Sequence, residues 1–261
     1  MEGVKLSRVI SGGVLTEVTT SSFLIIMATT FIIILLATIL HLPLPLSGGF
    51  VGSAVGVGLA GGESIDWSFT LMVFASWVAT PLLSAVTSAL LYGVTSSFTR
   101  RVRKPLMLNY LYGRATLALS FYVAYVLGAN TVGLINGVYS SFVGYGPLRT
   151  AAFGLATALG ICLLSRRVAE TVGREILGLS PSTALAAQLS GALIVHTFTQ
   201  FGMPVSITQS LVGGVVGVGL AKKIAVANVR LIRDILIGWT LAPILGVAGS
   251  LTLTYLSSIL P

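Results

Sequence analysis

The residues of this chain best placed to do chemistry are hydroxyls and amides set in charge-free apolar stretches. Ser206-Ile207-Thr208-Gln209-Ser210 follows Pro204 and precedes a Gly-rich run, Gly213 to Gly219. A helix start lined by hydroxyls and free backbone N–H groups suits an anion, because donors and helix dipole both favour negative charge. Simple capping by Ser206 or Thr208 is the plainer alternative. Gly128-Ala129-Asn130-Thr131 interrupts another apolar stretch. It reads either as a broken helix that presents amide and backbone groups to an ion, or as a packing kink with Asn130 bonded to a neighbouring helix. Gln188, alone among alanines and leucines, needs a partner inside the protein, whether an ion or another helix. Polar groups in such surroundings are candidates because burying them unpaired is costly.

Other chemistries find little support. His196 lies inside an apolar run and His41 at a break; each reads as a proton relay or as a hydrogen-bonded structural histidine. Cys162, the one cysteine, sits beside Leu163 and Leu164 and has no thiol partner for a disulfide or metal site. The glycines at 52, 56 and 58 and at 213, 217 and 219 lack the Lys-Ser/Thr of a nucleotide loop and are spaced for close helix approach. Nothing in the sequence resembles a hydrolase triad or a metal cluster, and with seven acids, mostly at span ends, an enzyme is hard to build. The expectation is a protein that is not an enzyme and needs no cofactor.

The surroundings of these residues fix the class. Apolar residues make up 55% of the chain and charged residues 8%, against about 25% charged in a soluble domain. Lipid is therefore the solvent, and a multi-pass protein of the cell membrane is expected. The neutral stretches between Glu17 and Glu63 and between Glu175 and Lys222 are each long enough for two spans of about 20 residues. Pro43 and Pro45 break the first and Pro204 the second, since proline removes a backbone donor and disfavours helix at the residue before it. The net charge of +8 sits at span ends, where a cytoplasmic basic bias belongs, and no basic domain exists to bind nucleic acid. The apolar run from Ser22 to Leu40 starts too late to read as a signal peptide.

The chain also repeats itself. Residues 43–60 and 204–221 align without a gap at 9 identities in 18 positions, and with one residue inserted Trp77 and Pro81 then fall on Trp239 and Pro243. The first copy is followed by Glu63 and Asp66, the second by Lys222, Lys223, Arg230 and Arg233. The span after the first copy ends in Arg100, Arg101, Arg103 and Lys104, and the span after the second ends without charge. By the positive-inside rule the copies cross the membrane in opposite senses; Arg166, Arg167 and Arg174 fit an inside loop, whereas Lys5 and Arg8 fit poorly. The fold expected is an all-α integral membrane protein with inverted-topology internal repeats and broken helices. Its units are residues 1–98 as a first, incomplete repeat, 99–113 as a basic cytoplasmic linker and 114–261 as a second repeat.

Taken together, Gly128-Ala-Asn130-Thr131-Val132-Gly133, Pro204-Val-Ser206-Ile-Thr208-Gln209 and the Val/Gly-rich run to Ala221 resemble the inorganic phosphate transporter (PiT) family. Its signatures take the form GANDVANA and Pro-Val-Ser-Thr-Thr-His. Ser165 to Gly173, Leu179-Ser-Pro181 and Ala186-Ala-Gln188 look like the family's intervening loop and helix. The resemblance covers about 114–261 and 15–98. The sequence departs from the pattern at Thr131, where the family has Asp, and at Gln209, where it has His. The first half carries no copy of the GAN signature, so the chain resembles a shortened or divergent member. The resemblance implies a carrier of inorganic phosphate working by alternating access, coupled to sodium or protons. Substrate would be held by Ser206, Thr208, Gln209, Ser47 and Asn130, and a coupling ion such as sodium by Asn130, Thr131 and Gln188. Another oxyanion such as sulfate is the alternative cargo. A non-transporting subunit or half-carrier, working as a homo-oligomer or with a partner chain, is the alternative role.

Overall fold

The protein was analysed as a computed structural model, which describes residues 2–6, 9, 12–40, 42, 44–101, 105–166, 170, 180–223 and 229–259. His41, Pro43, Arg8, Arg103, Lys104, Arg167 and Arg174 lie outside the described residues. Long apolar stretches without charge become helices, because in lipid a backbone must satisfy its own hydrogen bonds. A 3-10 turn spans Glu2–Leu6 and is followed by α1 (Thr20–Ile39), α2 (Leu46–Gly61), α3 (Trp67–Arg101) and α4 (Pro105–Leu127). A π-helical turn, Gly128–Val132, joins α4 to α5 (Gly133–Val143). Then come α6 (Pro147–Leu164), α7 (Pro181–Gln200), α8 (Ile207–Lys222) and α9 (Val229–Ile259). Helices α1, α3, α6, α9 and the combined α4–α5 are long and apolar enough to cross a membrane, which makes this an all-α, multi-pass membrane protein. At 16 residues, α2 and α8 are about 24 Å long. Most of the stretch 99–113 is helical, since α3 runs to Arg101 and α4 begins at Pro105.

The repeat is visible in the helix ends. From α1 to α7 both the first and the last residue move by 161, Thr20 to Pro181 and Ile39 to Gln200, and from α2 to α8 likewise, Leu46 to Ile207 and Gly61 to Lys222. Within each repeat the first two helices form a hairpin; at its base in the first copy, the Ser22 hydroxyl donates to Glu63 at 2.5 Å. Between the starts of α1 and α7 the described elements are α1, α2, α3, α4–α5 and α6.

The repeats interlock rather than stand side by side. Helix α2 packs against α9 and α8 against α3, so each central helix lies on the third helix of the other copy. Every residue of α2 from Ser47 to Gly58 is buried. The approach is close enough to require glycine. A Cβ on Gly52 would lie inside 3.0 Å of the Pro243 backbone, and one on Gly213 inside 3.0 Å of the Pro81 backbone. Gly56 meets Val247 and Ser250, and Gly217 meets Ala85 and Ser88, in the same way. Small residues at such contacts replace the hydrophobic drive that lipid removes. At the other extreme, no residue of α6 is buried; its apolar surface faces the lipid.

Candidate functional site

The start of α8 is built by the loop Phe201–Val205. Gly202 takes a left-handed φ of 72°, a conformation glycine adopts without steric cost, and Pro204 keeps the helix from starting early. Ser206 is the N-cap, its Oγ accepting the Gln209 N–H at 3.3 Å. The Ser206 hydroxyl hydrogen is thus left to donate elsewhere. The Ser210 N–H goes to the Ser206 carbonyl at 3.1 Å, which leaves the Ile207 and Thr208 N–H groups as helix-start donors. Ser206 and Gln209 are buried, and Thr208 is half-buried. The Gln209 Oε1 is buried with no hydrogen-bond partner.

Helix α2 presents the symmetry-related start. Gly48 and Gly49 N–H groups reach the Pro45 carbonyl at 3.1 and 3.3 Å, leaving those of Leu46 and Ser47. Ser47 occupies the position of Thr208, and its buried Oγ has no partner. Gly48 stands where the other copy has Gln209. Leu46 and Ile207 pack on one shared apolar cluster that includes Phe50, Val73, Trp77 and Val205, so the two polar helix starts converge on a common core.

Asn130 sits in the π turn, where the Gly133 N–H reaches the carbonyls of Asn130 and Gly128. Such wide turns free backbone groups and recur at functional sites. Its Nδ2 donates to the Thr199 hydroxyl of α7 at 2.8 Å and to the Met203 carbonyl at 3.5 Å. The GAN segment therefore braces the loop that leads to Ser206. Thr131, next to it, is half-buried. Gln188 is half-buried on α7, and its Oε1 is buried but unpaired. The plain role expected for it, a hydrogen bond between helices, is therefore not what the structure shows. His196 is bonded through Nδ1 to the Tyr122 hydroxyl at 2.7 Å, and Cys162 is exposed on α6.

Three contributors escape the sequence. The Trp77 Nε1 donates to the Pro204 carbonyl at 2.8 Å. Thr199 accepts from Asn130. Lys5 reaches Gln200 Oε1 with its Nζ at 2.5 Å, and its backbone carbonyl would meet a Cβ on Gly202 at 3.0 Å. That places a cation at the end of α7 beside the loop, where the helix dipole favours it. Repeat alignment pointed to Trp77, but no local pattern marks Thr199 or Lys5. The named substrate and coupling residues are all uncharged, and no group of three or more metal-ligating side chains occurs among the described residues. A cavity of about 800 Å³ lies elsewhere, behind the π turn, between Gly3, Gly128, Gly133, Tyr145 and Gly154. It is bounded by neither helix start, and its polar lining is Tyr125, Asn136, Ser140, Tyr145 and Thr150. The polar helix starts are the candidate site.

Comparison with known proteins agrees with this architecture. A phosphate transporter described as sodium-dependent superposes with a TM-score of 0.84 over 99% of this chain and 86% of its own, at 22% identity, a likeness of fold. A Methanocaldococcus jannaschii protein, provisionally named a phosphate permease, is 33% identical over 174 residues, 66% of this chain and 56% of its own. The sulfate permease CysP of Bacillus subtilis is 30% identical over 261 residues, 97% of this chain and 71% of its own. Several curated relatives are matched over only 34% to 56% of their length. The Phosphate transporter family itself is matched over residues 1–250, and with repeats, glycine contacts and motif order in agreement, the chain belongs to that family.

Proposed function

We propose that the protein is a secondary carrier of inorganic phosphate that works by alternating access, with the anion held between the starts of α8 and α2. The observation that carries this reading is the pair of buried, hydroxyl-bearing helix starts, one from each repeat. Ser206 and Thr208 offer hydroxyls, Ile207 and Thr208 offer N–H groups, and Ser47 is the buried hydroxyl at the equivalent position of the other copy. Helix dipoles and oriented donors supply the positive potential that a neutral site otherwise lacks. Gln209 adds an amide that is free to present either its oxygen or, after rotation, its donor. Asn130 and Thr131 supply oxygens suited to a hard coupling cation such as sodium; Gln188, expected to join them, lies about 16 Å along α7 from the Thr199 that Asn130 bonds and is not beside them. Inverted repeats rocking about a central site give the alternation.

Sulfate is the second reading, favoured by the match to CysP over nearly the whole chain. It is also favoured by chemistry: phosphate near neutral pH carries a proton to donate, and an ionised carboxylate recognises it because it only accepts. Thr131 and Gln209 stand where the family motifs have an acid and a histidine, so that discriminator is absent from these positions. Uptake of labelled phosphate into proteoliposomes tests the proposal. Saturable uptake, stimulated by a sodium or proton gradient and little inhibited by equimolar sulfate, supports phosphate. Uptake abolished by sulfate supports the second reading, and no uptake of either anion rejects both.

A further inference from the structure

His196 is a titratable side chain near the middle of the membrane. It bonds through Nδ1 to the Tyr122 hydroxyl at 2.7 Å, and Tyr122 lies at the centre of the apolar span Leu106–Ser140. The rings of Tyr122 and Tyr125 stand with centroids 5.7 and 5.9 Å from the imidazole. These neighbours suit two charge states. A tyrosine hydroxyl both donates and accepts, so it can serve a neutral imidazole or an imidazolium. Aromatic rings at such distances interact favourably with a cation. Ionisable groups are rare at this depth and mark ion and proton paths.

The charges around His196 are arranged for an anion. Helices α3, α4, α5 and α8 contain no Asp or Glu. On α4, Arg114 lies about 12 Å back along the helix from Tyr122 and is bonded to Tyr110. Helix α3 brings Tyr92, with charge only at Arg100 and Arg101, and α8 has charge only at Lys222. The 3-10 turn, which carries Glu2 and Lys5, touches α7 at its end, where Lys5 bonds Gln200 one turn beyond His196. An imidazolium here has no carboxylate on these helices to pair with, and a buried charge needs a partner. The carried anion can be that partner. Thr199, also one turn beyond His196, accepts the Asn130 amide, and Asn130 holds the Met203 carbonyl in the loop before Ser206.

The cavity of about 800 Å³ behind the π turn supplies a route for the proton. Tyr125 is both one of its walls and a ring neighbour of His196. The lining follows one face of α4–α5 through Ala129, Asn136 and Ser140 and reaches Tyr145 in the loop before α6. That stripe covers roughly 20 Å along the helix. A space of this size with hydroxyls and an amide on its wall can hold water. We propose that His196 carries the proton that couples to the anion, reached through this cavity. The imidazole takes one proton from cavity water as the anion binds and returns it to water on the far side once the anion has left; no other bond forms or breaks.

The inference rests on the anion-carrier reading and commits its coupling to a proton. It is tested by calorimetry on the purified full chain, with sulfate and then phosphate as probes, in buffers of different ionisation heat. Sulfate has no proton of its own to exchange near neutral pH. Its binding is expected to draw a proton from the buffer and to tighten about tenfold between about pH 8 and about pH 6, a coupling of ordinary size. His196→Gln, which keeps an amide for Tyr122, should lose the proton uptake and flatten the pH dependence, whichever anion binds. A histidine that only packs would leave both unchanged. Gly128→Cys in a Cys162→Ser background, placed where an added Cβ meets open space, should react with a charged, water-soluble thiol reagent. Anion binding without proton uptake, equal uptake in His196→Gln, or a protected Gly128→Cys would overturn the proposal and leave the carrier reading standing. Failure of both anions to bind would overturn the two together.

Discussion

In the second repeat, the loop before the central helix is held on three sides: by Trp77 on the Pro204 carbonyl, by Asn130 on Met203, and by the Lys5 backbone against Gly202. In the first repeat, where His41 and Pro43 lie outside the described residues, the described counterparts differ. Trp239, the counterpart of Trp77, buries an Nε1 with no partner, and Ser47 and Thr29 bury unpaired hydroxyl oxygens. Where the helices interlock, however, the copies are matched closely, Gly52 on Pro243 and Gly213 on Pro81. The difference teaches that duplication preserved the packing frame and not the polar bracing. Packing at backbone distance tolerates no change, whereas each hydrogen bond needs only one neighbour to be gained or lost.

Breaking the matched part should give the largest and most symmetric effect. Gly52→Leu and Gly213→Leu each force a side chain into proline backbone; overpacking of this kind costs about 3 kcal/mol or more. Both variants should fail to give a monodisperse peak on size-exclusion chromatography in detergent, and a tolerated variant at one of the two sites would break the symmetry argued here. The unmatched part should respond on one side only. Thr199→Val leaves the buried Asn130 amide short of its acceptor, a loss of about 1–3 kcal/mol, and uptake should drop about tenfold or more, while Thr38→Val should change uptake less than twofold. Trp77→Phe should lower thermal stability by about 1 kcal/mol through the lost bond to Pro204. Trp239→Phe should be neutral or slightly stabilising, because it removes a donor that is already unpaired. The smallest contrast lies at the helix ends. Gly62 closes α2 and Lys223 closes α8, both left-handed, with Lys223 at φ 56°. Lys223→Gly should therefore raise stability by about 0.5–1 kcal/mol, read as a shift in melting temperature.

Much of this architecture was legible in the residues themselves. Pro204 and Gly213 match Pro43 and Gly52 at the same spacing, Trp239 matches Trp77 after a one-residue insertion, and together they reveal the repeat; the swing from Glu63 and Asp66 to Lys222 and Lys223 reveals its inversion. The helix start at Ser206 was readable because capping is local: proline, hydroxyl and first turn lie within a few positions. The GAN segment was visible as an interruption, and a bond from Asn130 to a neighbouring helix was one of its two readings, but the acceptors Thr199 and Met203, 69 and 73 residues away, were not. Lys5 was unreadable for the same reason, and its charge even argued against its place in the topology. Gln188 was expected to bond another helix or an ion; its Oε1 has no protein partner, which no pattern along one helix can foresee.

Phosphate titrated into the purified protein, followed by calorimetry, tests the site most directly. The account predicts a saturable isotherm for the unaltered chain and binding weakened at least tenfold in the Ser206→Ala/Thr208→Val double variant, with helical circular dichroism unchanged. A double variant that binds phosphate, or sulfate in its place, as well as the unaltered chain does would contradict an anion site at the start of α8.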